Sequence, residues 1–251
     1  MMQNLDWPYH RFVGHRGAGV SAPENTLAAF QHGYDMGYRM FECDAKVSAD
    51  GVVYLLHDAT LDRTTNAQGM AHHYVWDEIR QLDAGSWHSE WFAGSGIPSL
   101  EQVAQFCIEH DCYLNIEIKP SPGFEARTGM LVAQKAMECW KGQPVLPLLT
   151  SFKREALQSA QMSVPELPRG LLMHELSTDW HDAIEALQCR AIACHYPLYT
   201  QSLIEECQHL GVRCMAYTVN DADRAIKLLK MGVETIITDD MTFARELSTP
   251  I

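Results

Sequence analysis

Residues Gly211–Asp239 read GVRCMAYTVNDADRAIKLLKMGVETIITD. Two short apolar runs of strand length, Val212–Val219 and Thr235–Asp239, flank an amphipathic stretch, Asp221–Met231. Asn220 stands where an N-cap belongs, and Gly211 and Gly232 stand where helices stop. Strand, helix and strand with short connections predict a βαβ unit, in which the two strands run parallel.

The same alternation extends upstream. Strands are predicted over Arg11–His15, Met40–Lys46, Cys112–Lys119, Val145–Phe152, Gly170–His174 and Ala191–His195. Helices are predicted over Glu24–Gly37, Ser99–His110, Phe124–Trp140, Lys153–Gln161, Asp179–Leu187, Thr200–Leu210 and Thr242–Leu247. Ser99 with Gln102 forms a capping box. The count is eight βα units in 251 residues. A (β/α)8 barrel accommodates that number, whereas a doubly wound open sheet usually stops at five or six strands. No G-x-G-x-x-G or Walker loop follows any strand. The chain is therefore read as one barrel domain over 1–251.

One segment breaks the rhythm. Asp50-Gly51 after Met40–Lys46 signals a hairpin, so Val52–His57 is read as an extra, antiparallel strand. A two-residue loop makes paired positions sum to 101 and sets Asp44 opposite His57. Residues 58–98 then form an insertion over the barrel mouth. Its Trp76, Trp87 and Trp91 are expected to form a small core of their own, and His72, His73 and His88 to be solvated.

Composition narrows the function. Hydrophobic residues are 47% and charged residues 20%, ordinary for a globular domain. The net charge of −13 opposes nucleic acid and anionic membranes. No signal peptide and no membrane span are read. The eight cysteines include no C-x-x-C pair and are read as reduced, buried thiols. Together these absences predict a cytoplasmic protein with no stable membrane insertion; self-association is left open.

Glu42 and Asp44 are two apart on a strand and share a face; Asn115, Glu117 and Lys119 share another, with Ile116 and Ile118 turned to the helices. Cys43 turns to the helices too. Three carboxylates converging in a barrel mouth either titrate high or bind a cation, and oxygen ligands favour a hard ion, Mg²⁺ or Ca²⁺. His15 and Arg16 close the first strand and His57 closes the hairpin. Two histidines, two cations and a metal cluster describe phosphoryl chemistry. His195 also ends a strand, without an assigned role, and Asp239 ends the last strand as a structural residue or a support for the site residues.

These residues resemble a known family. His15-Arg16-Gly17, Pro23-Glu24-Asn25-Thr26, Glu42-x-Asp44, His57-Asp58-x-x-Leu61-x-Arg63-Thr64-Thr65 and Glu117-x-Lys119 look, in that order, like the glycerophosphodiester phosphodiesterases. Ser151-Phe152, Tyr217-Thr218-Val219-Asn220 and Ile237-Thr238-Asp239 continue the likeness, which spans Val13 to Asp240. The resemblance implies a TIM barrel with a small insertion after the second strand. It implies a divalent cation on Glu42, Asp44 and Glu117, His15 and His57 as the catalytic pair, and Arg16 and Lys119 on the phosphate. Tyr217 departs from the tryptophan common there, and with Phe152 it is expected to line the mouth and meet the substrate. The expected reaction is hydrolysis of a small-molecule glycerophosphodiester to glycerol 3-phosphate and an alcohol. The alternatives are a lysophospholipid phosphodiesterase and a non-catalytic barrel that binds a phosphorylated metabolite.

Overall fold

The computed structural model describes residues 7–243. The strands are β1 (Phe12–Gly14), β2 (Met40–Val47), β3 (Val53–Leu55), β4 (Tyr113–Ile118), β5 (Leu148–Ser151), β6 (Arg169–Met173), β7 (Ala191–His195), β8 (Arg213–Tyr217) and β9 (Thr235–Thr238). The helices are α1 (Leu27–Asp35), α2 (Trp76–Ile79), α3 (Leu100–Glu109), α4 (Glu125–Cys139), α5 (Arg154–Ser163), α6 (Trp180–Ala186), α7 (Gln201–Leu210) and α8 (Ala222–Met231). The helix expected over Thr242–Leu247 lies outside the described residues except at its start.

Eight parallel strands pair in the order β1-β9-β8-β7-β6-β5-β4-β2, and β1 returns to β2 through Gly14 opposite Phe41. The sheet is thus a closed (β/α)8 barrel, and β3 is the extra antiparallel strand on β2. Caps account for several boundaries. Ser99 and Gln102 exchange bonds at the start of α3, and Gly211 and Gly232 end α7 and α8 in left-handed conformation. Two expectations shift. α1 begins at Leu27 with Thr26 as N-cap, because Asn25 takes φ +59 and leaves the helix to serve another purpose. Asp221, not Asn220, caps α8.

The hairpin register differs by one. Ala45 pairs with Leu55, Lys46 with Tyr54 and Val47 with Val53, and the Leu56 amide donates to the Asp44 carbonyl. Asp44 therefore faces Leu56, not His57. The loop has three residues, not two. Gly51 donates to the Ser48 carbonyl and sits at φ +94, the three-residue hairpin with a left-handed glycine at its third position. Ser48 Oγ accepts the Val52 amide and stabilises this choice.

Strand alternation divides the barrel into two apolar layers and one polar one. Phe41, Cys43, Ala45, Ile116 and Ile118 face the helices in the outer core. Val13, Met40, Leu148, Leu172, Ala191, Ala193, Met215 and Ile237 fill the lower interior with Tyr9, whose hydroxyl donates to the Leu146 carbonyl. The inward positions above that plug are Glu42, Asp44, Asn115, Glu117 and Thr150, all buried. The insertion has its own core of Tyr54, Leu56, Leu61, Ala71, Ile79, Ala84 and Ile97, with Trp76 against it. Trp87 and Trp91 do not join it; Trp91 is 94% exposed.

The lower plug is the support on which the polar layer rests. Met215→Ala, in its fully buried centre, is expected to cost about 2–5 kcal/mol in urea unfolding. A cost below about 1 kcal/mol would show that the interior is not close-packed there.

Candidate active site

The C-terminal end of the barrel gathers the charged residues on β1, β2 and β4. Ligand oxygens of Glu42, Asp44 and Glu117 lie within 4.8 Å of one another. This is the convergence that the alternation of β2 and β4 predicts. The donors are all carboxylate oxygens, so the cluster fits a hard divalent cation. Burial raises the pKa of Glu42 and Glu117, and the Asp44 charge adds to it. Burial opposes ionisation of Asp44 as well, but Lys119 and Arg16 outweigh it and hold that carboxyl below its usual range. Lys119 Nζ lies 2.7 Å from Glu117 Oε1 and 3.4 Å from Asp44 Oδ1.

The β1–α1 loop wraps this cluster. Arg16 adopts φ +51, which turns its amide onto Glu42 Oε2 at 3.0 Å. Its guanidinium reaches inward: Nη1 donates to Glu24 Oε1 at 2.9 Å, and Nε stands 3.3 Å from Asp44 Oδ2. That Nε is buried and has no hydrogen-bond partner among the described residues, so a donor is left facing the cluster. Asn25, out of the helix, donates to Asp44 Oδ2 at 2.8 Å and accepts the Asp44 amide at 3.0 Å. Gly19 packs so tightly on the Asp239 backbone that a Cβ there would sit 2.3 Å from its carbonyl oxygen. The loop is fixed to the end of β9 as a result.

Both predicted histidines are present, each with a carboxylate on Nδ1. His15 Nδ1 is 2.7 Å from Asp239 Oδ1, and Asn220 donates to Asp239 Oδ2 at 2.9 Å. His57 Nδ1 is 2.7 Å from Asp58 Oδ1. These bonds assign the proton to Nδ1 and leave Nε2 of the neutral ring as an acceptor. The settings differ. Burial disfavours charge on His15, but Asp239 and Glu42 overcome it and raise its pKa. Burial also lowers the pKa of His57; Asp44 pulls against it, and Lys119 and Arg16 reinforce it.

The opposite half of the mouth, on β5 to β8, is built of rings. Phe152 is 39% exposed, meets Tyr217 edge-on at 5.8 Å, and has Lys119 Nζ 5.7 Å from its centroid. The Tyr217 hydroxyl donates across to the Met173 carbonyl at 3.0 Å. His195 lies 6.2 Å from Tyr217 and stacks on His174 at 4.5 Å. All the residues expected at the site from sequence thus line one mouth. Asp239 supports His15, one of the two roles open to it from sequence, whereas the site roles of Glu24, Asn25, Lys46, Asp58, Arg63 and Asn220 carry no reading there. Lys46 carried a usable signal, because it continues the inward alternation of Glu42 and Asp44. It is buried, donates to the Lys119 carbonyl at 3.2 Å, and burial lowers its pKa to about 8. Of the insertion histidines His73 is exposed as expected, whereas His88 bonds the Val20 carbonyl and His72, half-buried, packs 5.2 Å from Phe124.

Comparison with known proteins bears on the family and the fold. Residues 15–242 match the glycerophosphoryl diester phosphodiesterase family model. A glycerophosphodiester phosphodiesterase of Caldanaerobacter subterraneus is 34% identical, over 91% of this chain and 93% of its own length. An Oleispira antarctica phosphodiesterase, solved in complex with the product sn-glycerol-3-phosphate, superposes with TM-score 0.87 at 30% identity and covers 96% of both chains. A glycerophosphodiester phosphodiesterase of Agrobacterium tumefaciens superposes with TM-score 0.80 at 29% identity, over 94% of this chain and 99% of that one.

The raised carboxylates carry a stability prediction. A carboxylate whose folded pKa exceeds its unfolded value, about 4.3 for Glu, stabilises fully below that value. The contribution is lost as pH rises through the folded pKa. Metal-stripped protein should therefore melt lower at pH 8 than at pH 6, and a divalent cation should restore more at pH 8. At 100 times its Kd the ion adds about 2.7 kcal/mol, which is about 5–10 °C for a chain of this size. Glu42→Gln should raise the metal-free melting temperature and abolish the cation shift. A melting curve indifferent to cations at pH 8 would remove the metal from the cluster.

Proposed function

Since the chain belongs to the glycerophosphoryl diester phosphodiesterase family, we propose that its barrel mouth is the active site for hydrolysis of a glycerophosphodiester to glycerol 3-phosphate and an alcohol. It is an enzyme of the phosphoric diester hydrolase class. The observation that carries the site assignment is the meeting of two carboxylate-backed imidazoles, Arg16 and Lys119 around three buried carboxylates.

In this reading Arg16 and Lys119 hold the non-bridging phosphate oxygens and offset charge in the transition state. A Mg²⁺ or Ca²⁺ ion on Glu42, Asp44 and Glu117, when bound, supplies Lewis-acid stabilisation of the same phosphate. His57 is the general base. Asp58 is bonded by Arg63, and Lys119 and Arg16 lie nearby, so the ring is kept neutral with Nε2 free. It takes the proton of the attacking oxygen, the new P–O bond forms, and the P–O bond to the alcohol breaks. His15 gives its Nε2 proton to the departing alkoxide. The attacking oxygen is that of water or of the glycerol 2-hydroxyl; the second path passes through a cyclic phosphate. Phe152 and Tyr217 form the wall for the organic groups.

The insertion over 58–98 belongs to the same catalytic unit, since Asp58 and Arg63 come from it. The free thiols of all eight cysteines support a reducing, cytoplasmic location. Among the described residues no helix is long and apolar enough to cross a membrane. One observation favours lysophospholipids as a second substrate class: Val20, 76% exposed, meets the insertion segment that carries exposed Trp87 and Trp91 through its bond to His88. Such side chains suit a lipid surface. Turnover of a lysophospholipid at a rate near that of the soluble diester would support it.

Glycerol 3-phosphate release from glycerophosphocholine tests the main reading. Metal-stripped protein should be inactive, and Mg²⁺ or Ca²⁺ should restore release. His15→Ala and His57→Ala should each lose about 10²–10⁴-fold in kcat while remaining folded. Full turnover by folded His57→Ala would overturn its assignment as the base.

A further inference from the structure

Arg63 enters the reading above only through its bond to Asp58, yet its guanidinium joins two parts of the site. Nε donates to Asp58 Oδ2 at 2.6 Å and Nη2 to Asp58 Oδ1 at 3.0 Å. Nη1 donates to Glu24 Oε2 at 2.7 Å and Nη2 to Glu24 Oε1 at 2.8 Å. Each carboxylate is thus held by two bonds from one planar group. Asp58 Oδ1 also takes His57 Nδ1, and Glu24 Oε1 also takes Arg16 Nη1. One unbroken chain therefore runs from His57 through Asp58, Arg63 and Glu24 to Arg16.

Two physical points follow. Only a guanidinium carries enough donors in one plane to fork two carboxylates; an ammonium is a single point charge. Arg63 also keeps 44% of its side chain exposed, so it contributes little to the core. A surface ion pair of this kind adds little to stability, and its geometric consequence is the larger one. The bonds from Arg63 hold the Asp58 carboxyl down at about 2, which keeps it fully charged while sharing that charge away from His57. Resting on the roles proposed above for His57 and Arg16, we infer that Arg63 is a positioning residue. It orients the base and the phosphate-binding guanidinium together, and it moderates the charge that His57 feels. The groups facing His57 are Asp58, Asp44, Lys119 and Arg16.

The test uses the full chain loaded with Mg²⁺ and glycerophosphocholine as substrate. Arg63→Gln should fold, with a melting temperature close to that of the parent, and lose about 10–100-fold in kcat, the loss usual when a supporting partner is removed. Arg63→Lys should recover only a small part, and it is the variant to measure should Arg63→Gln not fold. The acid limb of the kcat/KM profile should move to higher pH in Arg63→Gln, because the whole Asp58 charge then acts on His57. In a His57→Ala background the cost of Arg63→Gln should shrink, since residues acting as a unit are not additive. An unmoved kcat and acid limb, or the same fold loss in both backgrounds, overturns the positioning role. Full turnover by His57→Ala alone overturns the reading of His57 beneath it, and the inference with it.

Discussion

Three carboxylates packed into one barrel mouth are the constraint around which this molecule is arranged. Their oxygens converge within 4.8 Å above an apolar plug, where water is scarce and like charges repel strongly. Left unbalanced, such a cluster protonates or distorts. Here the balance comes from Lys119 and Arg16, from the amides of Asn25 and Arg16, and from room for a cation. Nearly every unusual feature nearby can be traced to that balance. Arg16 takes a left-handed conformation to deliver its amide, and Asn25 leaves α1 to deliver its side chain. The cost of the left-handed Arg16, about 1–3 kcal/mol, is set against a buried anionic cluster that needs its amide, whereas Asn25 adopts that region readily.

The two histidines show how one site obtains two different imidazoles from similar parts. Each ring has an aspartate on Nδ1, which fixes orientation and tautomer. The second partner of the aspartate makes the difference. Asp239 is completed by Asn220, a neutral amide, and keeps its charge for His15. Asp58 is completed by Arg63, a cation, and shares its charge away from His57. A ring beside an undiluted carboxylate favours the imidazolium, and a ring beside a neutralised one favours the free base. The two imidazoles are thus set apart by groups two hydrogen bonds away from the rings.

How much of this was legible depended on the range of the signal. Periodicity is local, so the eight strands, most helices and the inward phase of Glu42, Asp44 and Glu117 could be read directly. Phe152 and Tyr217 are expected at the mouth through the family resemblance, since strand position alone suits either ring equally well to the barrel core. The hairpin register was misread because Asp50-Gly51 suits a two-residue loop as well as the three-residue one, and the bond from the Val52 amide to Ser48 Oγ decides between them. The chain from His57 to Arg16 was invisible because Glu24 and Arg63 are 39 residues apart and meet only in the fold. Trp91 was assigned to a core that Leu61, Ile79 and Ile97 already fill, so it was left at the surface.

The mouth is also divided in character, and the division follows the strand order. β1, β2 and β4 are neighbours in the barrel and carry the charges; β5 to β8 are neighbours and carry the rings. A phosphodiester has the same asymmetry, an anionic centre with organic groups on either side. The ring at Phe152 stands beside Lys119, which marks the boundary between the halves. Beyond it, the ring nitrogens of His174 and His195 have no hydrogen-bond partner among the described residues, unlike those of His15 and His57. The charged half is tied down by a network of bonds at 2.6–3.4 Å, whereas the ring half is held mainly by packing. In the proposed reading, a rigid half would fix the phosphate and a more adaptable half would meet the alcohol, a division that keeps the chemistry constant whichever alcohol leaves.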